Sequence, residues 1–266
     1  MPVKQNKTLE NSESRFVWRS VSRGKIIRLG ILLIFVFIFI YLLVMYLSLP
    51  DVSCLAKKNP KTTALMQARL EQAAENNKKL TIRQNWVSFK NIPEIFKKAV
   101  RVSEDAGFYQ HEGVDLTELQ ESLKRNLDEG RIVRGGSTIT QQLAKNLYLS
   151  TDKSYVRKIK EYIIAKRLEE NLSKNRIFHL YLNVIEFGPG VFGVQAASRY
   201  YFGKNAASLT LEECVRLVAV IPRPLSMNPK SKSRWMKWKA GWILGKLLKY
   251  NYITKSEYDQ TIKNFR

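Results

Sequence analysis

The sequence predicts a mainly α-helical domain behind one N-terminal membrane-spanning helix. Three observations carry that reading. The run from Leu29 to Pro50 contains no charged residue. From Pro93 onward apolar residues recur at spacings of three and four. Only Thr81 to Ser88 (TIRQNWVS) alternates as a strand would.

The apolar run LGILLIFVFIFIYLLVMYLSL, residues 29–49, is long enough to cross a hydrocarbon core as a helix. A cleaved signal peptide has a shorter apolar region and a small-residue cleavage site, and this run ends in Ser-Leu-Pro-Asp. Lys4, Lys7, Arg15, Arg19, Arg23, Lys25 and Arg28 precede it against Glu10 and Glu13 alone. That imbalance predicts a cytoplasmic N-terminus and an exported C-terminal portion. The expected layout is a basic tail over 1–28, the anchor over 29–49, a polar Lys-rich stalk over 50–82 and the folded domain over 83–266.

Within that domain, Ile95, Ala99 and Val102 share a face, and Leu116, Leu119, Leu123 and Leu127 repeat ahead of Gly130, a helix-stopping residue. Helices are expected over 154–170, 174–183, 212–221 and 240–250. The whole chain of 266 residues carries 45 Lys and Arg against 23 Asp and Glu, a formal charge of +22. Such an excess attracts anions, and the anchor directs the choice to a membrane surface and phosphorylated substrate rather than nucleic acid. Cys54 and Cys214 read as idle thiols, and His111 and His179 have no partner at ligand spacing, so no metal cluster is visible.

Four segments carry chemistry: SEDAGFYQHEGVD (103–115), GGSTITQQLAKNLYL (135–149), RKIKE (157–161) and IFHLYLNVIEFGPGVFGVQAASRYYFGK (177–204). Read alone, Glu104 and Asp105 form a solvated acidic helix end. The Gly pair at 135 and 136 opens a helix whose Thr138, Gln142 and Lys145 fall on one polar face, a hydroxyl, an amide and an ammonium suited to a sugar pyrophosphate. Arg157 and Glu161 stand one turn apart, the spacing of a surface ion pair.

Together, in this order, the four segments resemble the peptidoglycan glycosyltransferases, the transglycosylases of glycosyltransferase family fifty-one, from about Arg83 to Tyr252. The resemblance implies a larger lobe like lysozyme and a smaller membrane-proximal lobe. It implies polymerisation of lipid II into β-1,4 glycan by inverting transfer, with undecaprenyl pyrophosphate released. Glu104 matches the general base and Glu161 the second essential carboxylate. Asp105, His111, Ser137, Thr138, Gln142, Lys145, Asn146, Arg157 and Lys158 match substrate-cleft positions, with Arg157 and Lys158 facing phosphate. Glu161 is left open as orienter of those cations, aid to departure or ligand of a divalent cation, Mg²⁺ or Mn²⁺; nothing in the sequence requires a cofactor. The fourth segment reads as structural.

One departure stands out. Single-domain members usually carry an Arg ahead of a Val/Ile-Leu pair, whereas Ile243-Leu244 here follows Lys239, with Arg234 further upstream. The Ser-x-x-Lys spacings at Ser22–Lys25 and Ser150–Lys153 lack the S-D-N and K-T-G companions of a transpeptidase, so a monofunctional enzyme is expected. Lipid II, the growing lipid-linked glycan, the membrane and cell-wall synthesis or division proteins are the expected partners. The expected location is the bacterial inner membrane, single-pass, with the catalytic domain on the outer, periplasmic face. The rivals are a glycan-cleaving enzyme, which has no need of a cation cluster for pyrophosphate, and a non-enzymatic membrane protein, which leaves the carboxylate motifs idle.

Overall fold

The computed structural model describes residues 23–130, 136–152 and 154–265. The chain divides into two units, Met1–Ser48 and Leu49–Arg266. In the first, helix α1 (Arg23–Leu47) is apolar all round beyond Arg28, and its stretch Ile27–Leu47 is long and apolar enough to cross a membrane. The helix stops at Leu47, two residues short of the expected anchor end, because the residue preceding Pro50 is disfavoured in helical conformation. The basic tail expected over 1–28 lies mostly outside the described residues.

The second unit is mainly helical. Its helices are α2 (Ala64–Glu75), α3 (Glu94–Glu104), α4 (Leu116–Asp128), α5 (Ile139–Tyr148), α6 (Tyr155–Asn171), α7 (Lys174–Val184), α8 (Val194–Phe202), α9 (Leu211–Val220), α10 (Arg234–Lys249) and α11 (Lys255–Ile262). Short polar side chains start most of them. Ser154, Ser173 and Ser233 cap α6, α7 and α10, and Thr138, Thr210 and Thr254 form reciprocal capping boxes with Gln141, Glu213 and Glu257. The cap at Ser233 starts α10 six residues before the expected start at 240.

The core is built from α3, α5, α7, α9 and α10, with Phe96, Phe108, Ile139, Leu143, Phe178, Tyr181, Leu217 and Leu244 all sealed from solvent. Among the described residues the strand content is a three-stranded patch of order β1-β3-β2, with β1 (Arg83–Gln84), β2 (Glu186–Gly188) and β3 (Val191–Phe192). β2 and β3 pair antiparallel, and β1 joins β3 in parallel, Arg83 opposite Val191. The alternating stretch at 81–88 thus contributes two residues of strand. Asn183, fully buried on α7, fixes the rest: its Oδ1 accepts from Val87 N at 2.9 Å and its Nδ2 donates to Val87 O at 3.2 Å.

The segment 50–82 differs from the expected stalk. Val52, Leu55 and Met66 are buried, Thr63 caps α2, and α2 packs on α5. Arg69 makes a bidentate pair with Glu186, itself only 4% exposed, and Arg176 donates to the carbonyls of Leu55 and Lys58. Its polar composition hid a thin apolar face and two arginine clamps whose partners lie over 110 residues away.

Candidate active site

Glu104 is the last residue of α3 and is half-buried. Ser103 Oγ donates to its Oε1 at 2.8 Å, and Gln142 Nε2 approaches its Oε2 at 3.3 Å. The Gln142 amide is oriented from the other side, where its Oε1 accepts from Tyr181 Oη at 2.9 Å. Burial, with the negative charges of Glu104 and Asp105 behind it, raises the Tyr181 phenol well above its ordinary range, so it remains a donor. Glu104 is therefore aimed by its neighbours and keeps partial solvent access.

Asp105 points the other way. It is buried, its Oδ2 accepts the backbone N–H of Ile139 at 2.9 Å, and both oxygens face His111 Nε2 at 3.0 and 3.1 Å. Gly113 N donates to His111 Nδ1 at 3.1 Å, which assigns the proton to Nε2 and makes the imidazole the donor to Asp105. Gly113 has φ +86°, a conformation glycine adopts freely, and its carbonyl accepts from Thr138 Oγ1 at 2.6 Å. Asp105, His111 and Thr138 thus act together to tie the end of α3 to the start of α5. Thr138 is only 3% exposed with its hydroxyl engaged, so it serves as the cap of α5 and not as part of the open polar face. Asn146 is likewise buried on α5.

The cations gather around Glu161, buried on α6. Arg157 Nη1 donates to its Oε2 at 2.9 Å, and Lys158 Nζ donates to its Oε1. Lys158 also reaches Ser137 Oγ at 3.0 Å, and Arg157 Nε is held by the carbonyl of Asp152. Lys145, one turn beyond Gln142 on α5, has its ammonium pKa pushed down by burial and by Arg157, Lys158 and Arg69, with Glu161 opposing. A buried carboxylate holding two basic side chains is unlike the surface pair that the spacing of Arg157 and Glu161 first suggests.

This donor set fits a divalent cation poorly. Both Glu161 oxygens accept from cations, and Mg²⁺ or Mn²⁺ needs free oxygen ligands. The fold does bring Asp105, His111 and Asp115 within 4.8 Å, a grouping the sequence spacing hides. Most of their atoms are already engaged: Asp105 as above, His111 through both nitrogens, and Asp115 Oδ1, which accepts the N–H of Glu118 at 2.8 Å. The trio therefore reads as scaffold.

Two residues enter the site without having been assigned to it. Tyr181 lies in the segment read as structural, and its role shows only through the hydrogen bond to Gln142. Lys239 on α10 is 8% exposed and 4.3 Å from the Trp242 ring; burial lowers its pKa while the nearby Glu104 charge raises it. The departure from Arg thus retains a cation within the field of Glu104. Gly135, at the head of the second segment, lies outside the described residues.

A transglycosylase family profile matches residues 69–248. The chain belongs to the transglycosylase family. As a family member it is an enzyme that transfers glycosyl groups. The match begins inside the segment expected as stalk, in agreement with the packing of Arg69. A biosynthetic peptidoglycan transglycosylase of Nitrosospira multiformis is 44% identical over 189 residues, 71% of this chain and 82% of that protein. Another so named, from Thiobacillus denitrificans, is 38% identical over 210 residues, 79% of this chain and 87% of its own. That of Janthinobacterium is 45% identical over 166 residues, 62% of this transglycosylase and 72% of its own.

Proposed function

We propose that this peptidoglycan glycosyltransferase polymerises lipid II into linear β-1,4 glycan and releases undecaprenyl pyrophosphate. The observation that carries the proposal is the separation of charge across α5. A half-buried carboxylate, Glu104, is aimed by Gln142 at one end of the helix face, and Lys145, Arg157 and Lys158 gather one turn further along.

That arrangement suits displacement at an anomeric carbon. The 4-hydroxyl oxygen of the acceptor sugar attacks C1 of the lipid-linked donor, and Glu104 takes the hydroxyl proton. The C1–O bond to phosphate breaks, its electron pair leaves with the pyrophosphate, and attack from the opposite face inverts C1 from α to β. Lys145, Arg157 and Lys158 offset the charge growing on the leaving group. Glu161 holds Arg157 and Lys158 toward it; no step here runs through a metal ion.

The membrane supplies the substrate. Leu116, Leu119 and Leu127 on α4 expose apolar surface, as do Tyr155, Val156, Ile159 and Tyr162 on α6, the helix that carries Arg157 and Lys158. They support a smaller membrane-proximal lobe beside a larger lysozyme-like one. α1 is compatible with a single-pass anchor, and the basic residues preceding it support a cytoplasmic N-terminus and an inner-membrane enzyme with its catalytic domain outside. Confinement to one surface raises the effective concentration of enzyme and lipid. The Ser-x-x-Lys spacings without companion motifs support glycan polymerisation without transpeptidation; Ser22 and Lys153 lie outside the described residues.

The test is incubation of the full chain in detergent with lipid II, with glycan polymer resolved by electrophoresis. Polymer that muramidase digests supports the proposal. Unchanged lipid II, or cleavage of finished peptidoglycan in its place, rejects it.

A further inference from the structure

We propose that the outer face of α3, leading away from Glu104, is a ledge that binds the glycan strand itself. Lys98, Arg101, Tyr109, Tyr250 and Tyr252 build it. This rests on the glycosyl-transfer reading above and extends it from the reacting groups to the polymer.

One side of α3 is buried, with Phe96, Ala99 and Val100 sealed and Lys97 5% exposed. Lys98, Arg101 and Glu104 remain on its partly open side at successive turns. Arg101 Nη2 donates to Tyr252 Oη at 3.0 Å, and its guanidinium lies 5.1 Å from the Tyr109 ring and 5.9 Å from that of Tyr252. Lys98 Nζ sits 4.8 Å from the Tyr252 ring, and Tyr250 stacks on Tyr252 at 5.9 Å and 29°. Tyr109 is steadied by its hydroxyl, which donates to Asn175 Oδ1 at 2.8 Å. Yet Tyr109 is 45% exposed and Tyr250 43% exposed, far more than packing requires.

The chemistry selects the ligand. Pyranose rings carry apolar C–H faces that lie against aromatic rings, and tyrosine adds hydroxyl hydrogen bonding with few torsions to freeze. Among the described residues no carboxylate pairs with Lys98 or Arg101, so both cations are open to sugar hydroxyls and to the carboxylates of peptide-substituted sugars. The ledge is continuous with the carboxylate that marks the bond-forming position. A lipid surface is the less suited partner, because the exposed groups are ring-clamped tyrosines and cations without an aliphatic side chain among them.

The experiment uses the full chain in detergent micelles as wild type, Tyr250→Ala, Tyr250→Phe and Arg101→Gln. Each is titrated with soluble, lipid-free disaccharide-peptide oligomers, with the single disaccharide-peptide, and with phosphatidylglycerol vesicles, and melting temperature is followed throughout. Wild type is expected to bind oligomers more tightly than the single unit. Tyr250→Ala and Arg101→Gln should each weaken oligomer binding by about fivefold, Tyr250→Phe should retain it, and vesicle binding should not move. Products from lipid II should be shorter for the two weakened variants. Oligomer binding no tighter than the single unit, or unchanged in folded Tyr250→Ala, overturns the ledge, as does a loss confined to vesicles. Failure to polymerise lipid II with oligomer binding intact would reject the catalytic reading and leave the ledge standing.

Discussion

Asp105 Oδ2 accepts the backbone N–H of Ile139 at 2.9 Å and so joins the residue after Glu104 to the first turn of α5. The same carboxylate receives His111 Nε2. Adjacent carboxylates thus have opposite settings, Glu104 partly exposed beside Gln142 and Asp105 spent on geometry.

The first prediction concerns that anchor. Asp105→Ala removes an acceptor from a buried N–H and from His111, and hydrogen bonds to a charged group contribute about 1.5–3 kcal/mol each. Urea denaturation should show a loss on the order of 3 kcal/mol, with Asp105→Asn losing less because its amide oxygen still accepts from Ile139. A stability for Asp105→Ala equal to wild type would remove Asp105 from the scaffold.

A second prediction isolates the base. Glu104→Gln keeps size and removes basicity, so polymerisation of lipid II should fall by ~10²-fold or more. The melting temperature should stay near wild type, because Glu104 is half-buried and bonded only to Ser103 and Gln142 among the described residues. Near-normal initial rates from a folded Gln variant would transfer the base role elsewhere.

A third prediction separates stalk from domain. A chain beginning at Leu49 retains the whole second unit and should melt as the intact protein does. A chain beginning at Arg83 loses Met66 and leaves Glu186 without Arg69. Breaking a buried pair in this way costs about 3–5 kcal/mol, roughly 10 °C in a chain of this size. Equal thermal scans for the two chains would return residues 50–82 to the status of linker.

How much of this was legible follows from which interactions are local. The apolar run of α1, the serine-capped starts of α6 and α7 and the stop at Gly130 are written in neighbouring residues, and the sequence pattern finds them. Gln142 and Lys145 share a helix face by spacing alone. What spacing does not carry is a partner on another element: Arg69 for Glu186, Tyr181 for Gln142, Ile139 for Asp105. Thr138 shows the opposite error. Its type and position fit a polar face, but the capping geometry turns its hydroxyl inward to Gly113. Helix α8 went unread because its Gly193 start carries no side-chain cap, and α11 because its short polar stretch shows little apolar periodicity.

A fourth prediction tests the depth of the Arg157–Glu161 pair. Arg157→Ala removes one of two cations from a buried carboxylate and, under the proposed function, a donor to the leaving pyrophosphate. Electrostatic support of that kind is worth roughly 2.7–4 kcal/mol in the transition state, so kcat should fall by ~10²-fold or more. Arg157→Lys should not restore it, since an ammonium cannot hold both the Asp152 carbonyl and Glu161 as the fork does. Initial rates at saturating lipid II decide the matter; activity within about threefold of wild type would make this a surface pair after all.

The last prediction follows from the lowered pKa of Lys145. Burial is the main cause, Arg157, Lys158 and Arg69 add to it, and Glu161 alone opposes it. If the Lys145 ammonium supports the leaving pyrophosphate, kcat/KM should decline as pH rises through that lowered pKa, at a lower pH than an ordinary lysine would set. Glu161→Gln removes the one charge that raises the pKa, so the alkaline limb should move to still lower pH. Stability must change in the opposite sense. Between the folded pKa and the ordinary lysine value the unfolded chain binds more protons, so Lys145 contributes a stability that rises with pH across that window. Below the window the folded protein bears the full cost of a charged, buried ammonium. Rate profiles for wild type and Glu161→Gln, with parallel urea titrations of wild type and Lys145→Met, test both signs. An alkaline limb that stays in place in Glu161→Gln would break the link between Lys145 and Glu161. A limb that moves upward would show that the two carry the opposite coupling.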